Sequence, residues 1–180
     1  MSILVANHQV VHKPEIRVLS ESDIDVFWQL RLRCLKEEPE SFGSSYEDAL
    51  NTSTAEKIKR LQNDDAFVLG AFMPNLVGMV GFLRREGLKI RHKGFIWGMY
   101  VAPEGRGQGI GKALMLAAIE RANAIADLEL LQLTVVTNNE SARNLYLSLG
   151  FQSFGIERAA LKLGDRYLDE EMMVFKLPQI

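Results

Sequence analysis

The chain alternates between short apolar runs and stretches in which apolar residues recur three or four positions apart. Short apolar runs are typical of buried strands, and the longer spacing is typical of amphipathic helices. The runs predict strands at 16–19, 66–73, 76–83, 95–101, 130–136, 151–163 and 167–177, and the helical spacings predict helices at 24–38, 55–62, 109–126 and 141–149. This order predicts an α/β (α+β) fold with a mixed, mostly antiparallel sheet of six to seven strands flanked by helices.

Polar residues at the ends of these segments predict where two helices begin. Ser20, with Asp23 three positions later, is placed to cap the helix at 24–38, and Thr54 to cap the helix at 55–62. Residues 1–14 show no clear period and end at a proline, so we interpret them as an N-terminal arm. Residues 15–180 contain no repeat or linker and are expected to form a single domain.

Composition narrows the class of protein before any motif is considered. The 180 residues carry a formal charge of −2, which favours neither nucleic acid nor a membrane surface as a partner. One cysteine rules out an intrachain disulfide and fits a reducing compartment. The N-terminus lacks the pattern of a signal peptide and no run is long enough to span a bilayer, so we expect a cytoplasmic protein. No metal site is expected.

A glycine-rich loop between the strand at 95–101 and the helix that begins near 109 is the most informative segment. Glycines stand at positions 105, 107, 109 and 111, directly after Pro103. A helix that begins on glycines presents unpaired backbone N–H groups and the positive end of its dipole to an approaching anion. The loop is therefore a candidate cradle for a phosphate or pyrophosphate.

Two well-known phosphate loops do not fit this segment. A P-loop would need a glycine at Arg106 and a hydroxyl residue at Ala113. The dinucleotide motif G-x-G-x-x-G would need a glycine at Ile110 or at Lys112. The pattern that does fit is R-x-x-G-x-G, from Arg106 to Gly111.

A second motif follows the strand at 130–136. Residues 139–151 read N-x-x-A-x-x-L-Y-x-x-x-G-F, in which Ala142 and Tyr146 share one helix face. With the glycine loop one strand and one helix earlier, this block resembles the GNAT superfamily of N-acetyltransferases. The resemblance covers most of residues 66–177 and is weaker over 16–62, where only the order of elements matches.

The resemblance implies a ligand and the residues that hold it. Acetyl-CoA, the co-substrate, would lie in a gap where the central strand at 95–101 splays from the strand at 130–136. Backbone groups of the central strand would pair with the pantetheine arm, loop amides would hold the pyrophosphate, and two asparagines would contact pantetheine. Tyr146 would be the catalytic acid, protonating the leaving thiolate. The cofactor-binding residues so implied are Met99, Tyr100, Val101, Arg106, Gly107, Gln108, Gly109, Ile110, Gly111, Lys112, Asn139, Asn144 and Tyr146.

The general base is left open by the sequence. Family members often carry a glutamate on the central strand, but residues 95–101 contain no acid. The candidates elsewhere are Asp169, Glu170, Glu47 and Asp48, and a water chain is a further alternative. Cys34 lies at the apolar spacing of the first helix, so we interpret it as core packing rather than as a nucleophile.

The resemblance implies transfer of an acetyl group to a primary amine by direct attack in a ternary complex. The acceptor would be a small-molecule or peptide amine, and a homodimer is left open. A non-catalytic acyl-CoA-binding or sensor module on the same scaffold is the alternative, as is transfer of a longer acyl group.

Overall fold

A computed structural model describes residues 13–63 and 65–178. Most of the predicted N-terminal arm, residues 1–12, lies outside the described residues. The strands are β1 (Glu15–Val18), β2 (Gln62–Asn63), β3 (Ala66–Met73), β4 (Asn75–Arg84), β5 (Lys93–Val101), β6 (Leu130–Val136), β7 (Gln152–Leu163) and β8 (Arg166–Lys176). The α-helices are α1 (Ile24–Glu37), α2 (Tyr46–Leu50), α3 (Thr54–Leu61), α4 (Ile110–Asn123) and α5 (Glu140–Ser148).

The strands form one mixed sheet in the order β1-β3-β4-β5-β6-β8-β7, with the two-residue β2 beside β3. Every neighbouring pair is antiparallel except β5 and β6, which run parallel. The predicted fold class is therefore confirmed. A single parallel pair places the ends of β5 and β6 at the same edge of the sheet.

Helices cover both faces of the sheet, so the central strands are buried on both sides. One apolar core lies between the sheet and α4 and α5, and it includes Phe82, Leu114 and Phe151. The other lies between the sheet and α1, α2 and α3, and it includes Phe27 and Tyr100. Burial on two faces explains why β3 and β4 appear in the sequence as continuous apolar runs.

The predicted caps are half right. Ser20 and Asp23 do cap the first helical segment, because the Asp23 carboxylate accepts from the Ser20 backbone N–H at 2.8 Å. Thr54 is not the cap of α3. Ser53 takes that position, with its backbone N–H donating to Glu56 at 3.0 Å and its hydroxyl accepting from the Glu56 N–H at 3.3 Å. Each residue thus accepts a hydrogen bond from the backbone N–H of the other, as in a capping box. With Ser53 as the cap, the helix starts one residue earlier than predicted.

Deletion of a side chain from the first core tests this arrangement. Phe82 is fully buried and stacks on Phe67 with ring centroids 4.8 Å apart. We expect Phe82→Ala to lower the free energy of unfolding by about 3–5 kcal/mol, since it removes apolar contacts and leaves a cavity. Urea denaturation measures this directly. Leu88→Ala is the control, since Leu88 is 88% exposed and its loss should change the free energy by less than about 0.5 kcal/mol. Equal effects of the two substitutions would contradict the described core.

Candidate active site

The glycine-rich segment joins the end of β5 to the start of α4. After Val101, a 3-10 turn at Pro103–Gly105 redirects the chain, and α4 begins at Ile110. Gly107 and Gly109 have φ of +73° and +75°, a left-handed conformation that glycine adopts without steric strain. A β-carbon at either position would meet no atom within 4 Å, so this backbone faces open space.

The loop forms one wall of a cavity of about 480 Å³, which we call the loop cavity. Of the predicted cofactor residues, those that line it are Met99, Tyr100, Val101, Arg106, Gly107, Gly109, Ile110, Gly111, Lys112, Asn139 and Tyr146. Gln108 and Asn144 are exposed and do not line it. The N-terminus of the 14-residue helix α4 opens into this cavity, so its unpaired N–H groups suit a phosphate group.

The Arg106 side chain lines the cavity and also stabilises the loop. Its Nε donates to the Val101 carbonyl at 2.9 Å, and the guanidinium pairs with Glu38 just beyond α1. It also lies 5.8 Å from the centroid of the Tyr100 ring. These contacts attach the loop to β5 and α1, and they leave its backbone amides available to a ligand.

Gly111 serves packing rather than backbone conformation. A β-carbon there would lie 3.1 Å from Cε of Met99 and 3.5 Å from Cδ2 of Leu145. The missing side chain therefore lets α4 approach both β5 and α5. Two of the four alternate glycines, Gly107 and Gly109, shape the loop, whereas Gly111 brings its walls together.

The central strands separate just below this loop. β5 and β6 pair only over Lys93–Phe95 and Leu130–Gln132, so residues 96–101 have no neighbour on the β6 side. Their other side remains paired with β4, where a bulge places Gly98 and Met99 opposite Val80. Gly98 has φ of +62°, as such a bulge requires. The predicted splay is confirmed, and it exposes a strand edge to which an extended molecule could hydrogen-bond.

Helix α5 lies beside this opening. Asn139 caps it by accepting from the Ala142 N–H at 3.1 Å, and its amide nitrogen lies 3.4 Å from the Ser41 hydroxyl. Tyr146, on the next turns, is buried against Phe151. Burial raises the pKa of its phenol, so Tyr146 is protonated at neutral pH, as a proton donor must be.

A second opening, which we call the front cleft, lies on the other side of the split between β5 and β6. It has a volume of about 710 Å³ and is lined by residues of α1, α3, α5, the segment at 41–44 and strands β3, β4, β5, β6 and β8, together with Glu86. Met99 and Tyr146 line both the front cleft and the loop cavity. The two openings therefore adjoin at these side chains, where the strands diverge.

Only one of the four candidate bases lines the front cleft. Glu170, on β8, is half-buried there, and Thr134 donates to it at 3.2 Å. Burial raises the pKa of this carboxyl, the hydrogen bond from Thr134 partly offsets that rise, and the charge of Glu157 across the hairpin adds to it. Asp169 instead pairs with Arg158 and accepts from the Ala159 N–H at 2.9 Å. Glu47 and Asp48 lie on α2, outside this cleft.

Two further side chains are held by the core. The Tyr100 hydroxyl donates to Glu37 at 2.8 Å, so this ring faces α1. Cys34 is fully buried, and burial raises the pKa of its thiol to about 12. A thiol so held stays protonated at neutral pH, which agrees with a packing role.

Arg31 lines the front cleft but is not among the site residues predicted from the sequence. It is only 4% exposed. A signal was available, because Arg31 stands four residues after Phe27 and three before Cys34, on the apolar stripe of α1. Charged residues seldom occupy such a stripe unless they are paired or functional.

The comparisons with known proteins agree with this geometry. A family model described as the acetyltransferase (GNAT) family matches residues 28–151, more than half of the chain. The chain therefore belongs to the GNAT acetyltransferase family, as the two motifs predicted. Acetyl-CoA as co-substrate fits this family.

Solved structures share the fold over nearly the whole chain. An acetyltransferase of the GNAT family from Streptococcus pneumoniae is 25% identical, with a TM-score of 0.81, over 91% of this chain and 99% of that one. A ribosomal-protein-alanine N-acetyltransferase from Brucella melitensis is 24% identical, with a TM-score of 0.74, over 91% and 99%. A phosphinothricin acetyltransferase from Sinorhizobium meliloti, solved with acetyl-CoA, is 20% identical, with a TM-score of 0.79, over 92% and 89%.

A single substitution in the loop tests the cradle. We expect Gly109→Val to weaken coenzyme A binding about 10- to 100-fold, because the side chain would enter the space that a phosphate needs and would remove hydrogen bonds to it. Isothermal titration with coenzyme A measures this change.

The hairpin glycine Gly164 provides a matched control. Its φ is +60° and a β-carbon there would also meet nothing within 4 Å, but it lies between β7 and β8. Gly164→Val should bring similar backbone strain without any change in coenzyme A affinity. Unaltered affinity in Gly109→Val would show that the phosphates bind elsewhere.

Proposed function

We propose that this protein transfers an acetyl group from acetyl-CoA to a primary amine held in the front cleft. The observation that carries the proposal is that Met99 and Tyr146 line both openings. A thioester that reached from the loop cavity to these side chains would meet an amine that entered from the opposite side. Both substrates could then be bound at once, which favours direct transfer.

One side chain at the openings can accept the proton that the reaction releases, and another can donate the proton that it requires. The amine nitrogen attacks the thioester carbonyl, an N–C bond forms and the C–S bond breaks. Glu170 takes the proton that leaves the amine, directly or through water, and Tyr146 gives its proton to the departing thiolate. The products are the N-acetylated amine and coenzyme A, and solvent returns both side chains to their starting states.

The expected contributions are of the size such chemistry needs. Simultaneous binding of both reactants supplies orientation. A fixed backbone donor on the unpaired edge of β5 would stabilise the developing oxyanion by about 3 kcal/mol. General acid catalysis by Tyr146 would add a factor of about 10²–10⁴.

The acceptor class is not uniform among the solved relatives, which include a ribosomal-protein-alanine N-acetyltransferase and a phosphinothricin acetyltransferase. Both peptide and small-molecule amines therefore belong in an acceptor screen. In the described part of the chain no helix is long and apolar enough to cross a membrane. The single cysteine favours action in a reducing compartment, which we infer to be the cytoplasm.

Thiol release from acetyl-CoA, measured with a panel of amines, tests the proposed reaction. With an accepted amine, Tyr146→Phe should lower kcat about 10²- to 10⁴-fold, because the thiolate would leave without its proton donor. Tyr167→Phe is the control, since Tyr167 is 60% exposed and lines neither opening. Coenzyme A binding without release on any amine would instead support the non-catalytic acyl-CoA-binding module.

The pH dependence of kcat/KM tests Glu170 as the base. A carboxyl acts as a base only when it is ionised. Because the pKa of Glu170 is raised, kcat/KM should decrease as the pH is lowered, with a midpoint above the ordinary glutamate pKa of about 4.3. Glu170→Gln should remove this acid limb. Glu157→Gln should shift the limb to lower pH, since it removes the neighbouring negative charge. An acid limb that survives unchanged in Glu170→Gln would assign the proton transfer to another group.

A further inference from the structure

Arg31 is a buried cation at the wall of the front cleft, and the proposed reaction gives it no task. It projects from the apolar face of α1 and is 96% buried, being only 4% exposed. Its guanidinium lies between two rings, with its carbon 5.3 Å from the Phe42 centroid and 5.7 Å from the Trp97 centroid. These contacts hold the group against β5.

The hydrogen-bonding capacity of this guanidinium is mostly unused. Nη2 donates to the Ser44 hydroxyl at 3.1 Å, whereas the buried Nη1 has no partner. Within residues 13–63 and 65–178, no carboxylate lies within 4 Å of it. Two side chains act on its pKa through their charges: Cys34 raises it, and Arg60, a second cation, lowers it.

Such a group is unfavourable in the free protein. Burial lowers the pKa of Arg31, because the charged form loses its hydration, and the nearby Arg60 lowers it further. Buried charges in proteins are normally paired, since an uncompensated one opposes folding. A counter-ion that arrives with the substrate would supply the missing partner.

The position of the unpaired atom relates it to the proposed reaction centre. A β-carbon at Gly98 would lie 3.3 Å from Nη1, so this nitrogen borders the bulge of β5. Gly98 is followed by Met99, which lines both openings. Consecutive α-carbons are about 3.8 Å apart, so an anion on Nη1 would lie within about 10 Å of the residue at which the two openings adjoin.

The front cleft carries charges of both signs. Among the described residues, the cations Arg31, Lys59 and Arg60 and the acids Glu56, Glu86 and Glu170 line it. A molecule that carries both an amine and an anion matches this mixed lining. A polyamine, which has no anion, would leave Arg31 unpaired.

We propose that the acceptor is a small primary amine that also carries a carboxylate, and that the Arg31 guanidinium binds this carboxylate beside Gly98. This inference rests on the proposed function, because it specifies the amine for that reaction. A planar carboxylate can accept two hydrogen bonds from one edge of a planar guanidinium. The Ser44 hydroxyl would keep the guanidinium oriented.

Matched acceptors test the carboxylate. The assay compares free amino acids with their carboxamides, with the amines that lack the carboxyl carbon, and with polyamines, and it follows thiol release from acetyl-CoA. We expect at least one amino acid to exceed its own carboxamide by about 10- to 100-fold in kcat/KM. Carboxamides or polyamines that react as well as or better than the amino acids would overturn the inference.

Binding without turnover separates this inference from the proposed function. Trp97 lines the front cleft beside Arg31, so its fluorescence reports occupancy. The N-acetylated amino acids and their carboxamides are titrated against the protein with coenzyme A present. A preference for the carboxylates together with an absence of turnover on every amine would support carboxylate binding and reject the acetyltransferase proposal. Equal affinity for the two series would reject carboxylate binding, whatever the activity.

Two variants test whether Arg31 is the residue that gives the preference for carboxylates. Arg31→Met should abolish the preference for carboxylates, with equal or higher resistance to urea, because replacement of a buried unpaired charge by an apolar side chain relieves its desolvation. Arg31→Lys keeps the charge and should retain part of the preference. Loss of folding in Arg31→Met together with an unchanged preference in Arg31→Lys would show that Arg31 is a structural residue. Ser53→Ala, a cap substitution outside both openings, controls for general destabilisation.

Discussion

The divergence of β5 from β6 is the constraint on which the rest of the site depends. Each of the two strands remains hydrogen-bonded to the strand on its other side: β5 to β4, and β6 to β8 from Leu130 to Val136. The parallel pairing between β5 and β6 ends after Phe95. Beyond that residue the two strands diverge, each with its own antiparallel neighbour. The bulge at Gly98 and Met99 adds local twist and bends β5 within this opening. The outcome is an unpaired strand edge in the middle of a sheet.

Other elements are positioned by this opening. The glycine loop begins where β5 ends, so the N-terminus of α4 faces the upper part of the gap. Helix α5 lies beside the gap, and the ion pair between Arg143 and Glu171 at 2.6 Å attaches it to β8. Tyr146 is thereby held where the loop cavity and the front cleft adjoin. A sheet that was continuously paired would leave no place for either opening to reach the other.

The glycine loop that lines the loop cavity was predictable because its information is local. Gly107, Gly109 and the start of α4 lie within a few consecutive residues. The role proposed for Tyr146 rests on a block with fixed spacing, and the structure places this residue at both openings. Roles that depend on neighbours were not predictable in detail: Gly111 proved to be a packing position, and Asn144 lies exposed away from both openings.

The proposed acceptor cleft depends on residues distant in sequence, which no spacing could bring together. Arg31 on α1, Thr134 on β6 and Glu170 on β8 line one cleft because the fold places β8 next to β6 and α1 on the same side of the sheet. From sequence, Glu170 was one acid among four with no reason to choose it. Arg31 could have been noticed as a charge on an apolar stripe, but its missing partner is visible only when the fold surrounds it.

In the proposed reaction, acetyl-CoA binds along the unpaired edge of β5. Hydrogen–deuterium exchange of the backbone amides, with and without saturating acetyl-CoA, tests this placement directly. We expect slower exchange at residues 96–101 and 106–112, with little change along β7 on the far side of the sheet. Saturating binding that leaves residues 96–101 unprotected would contradict it.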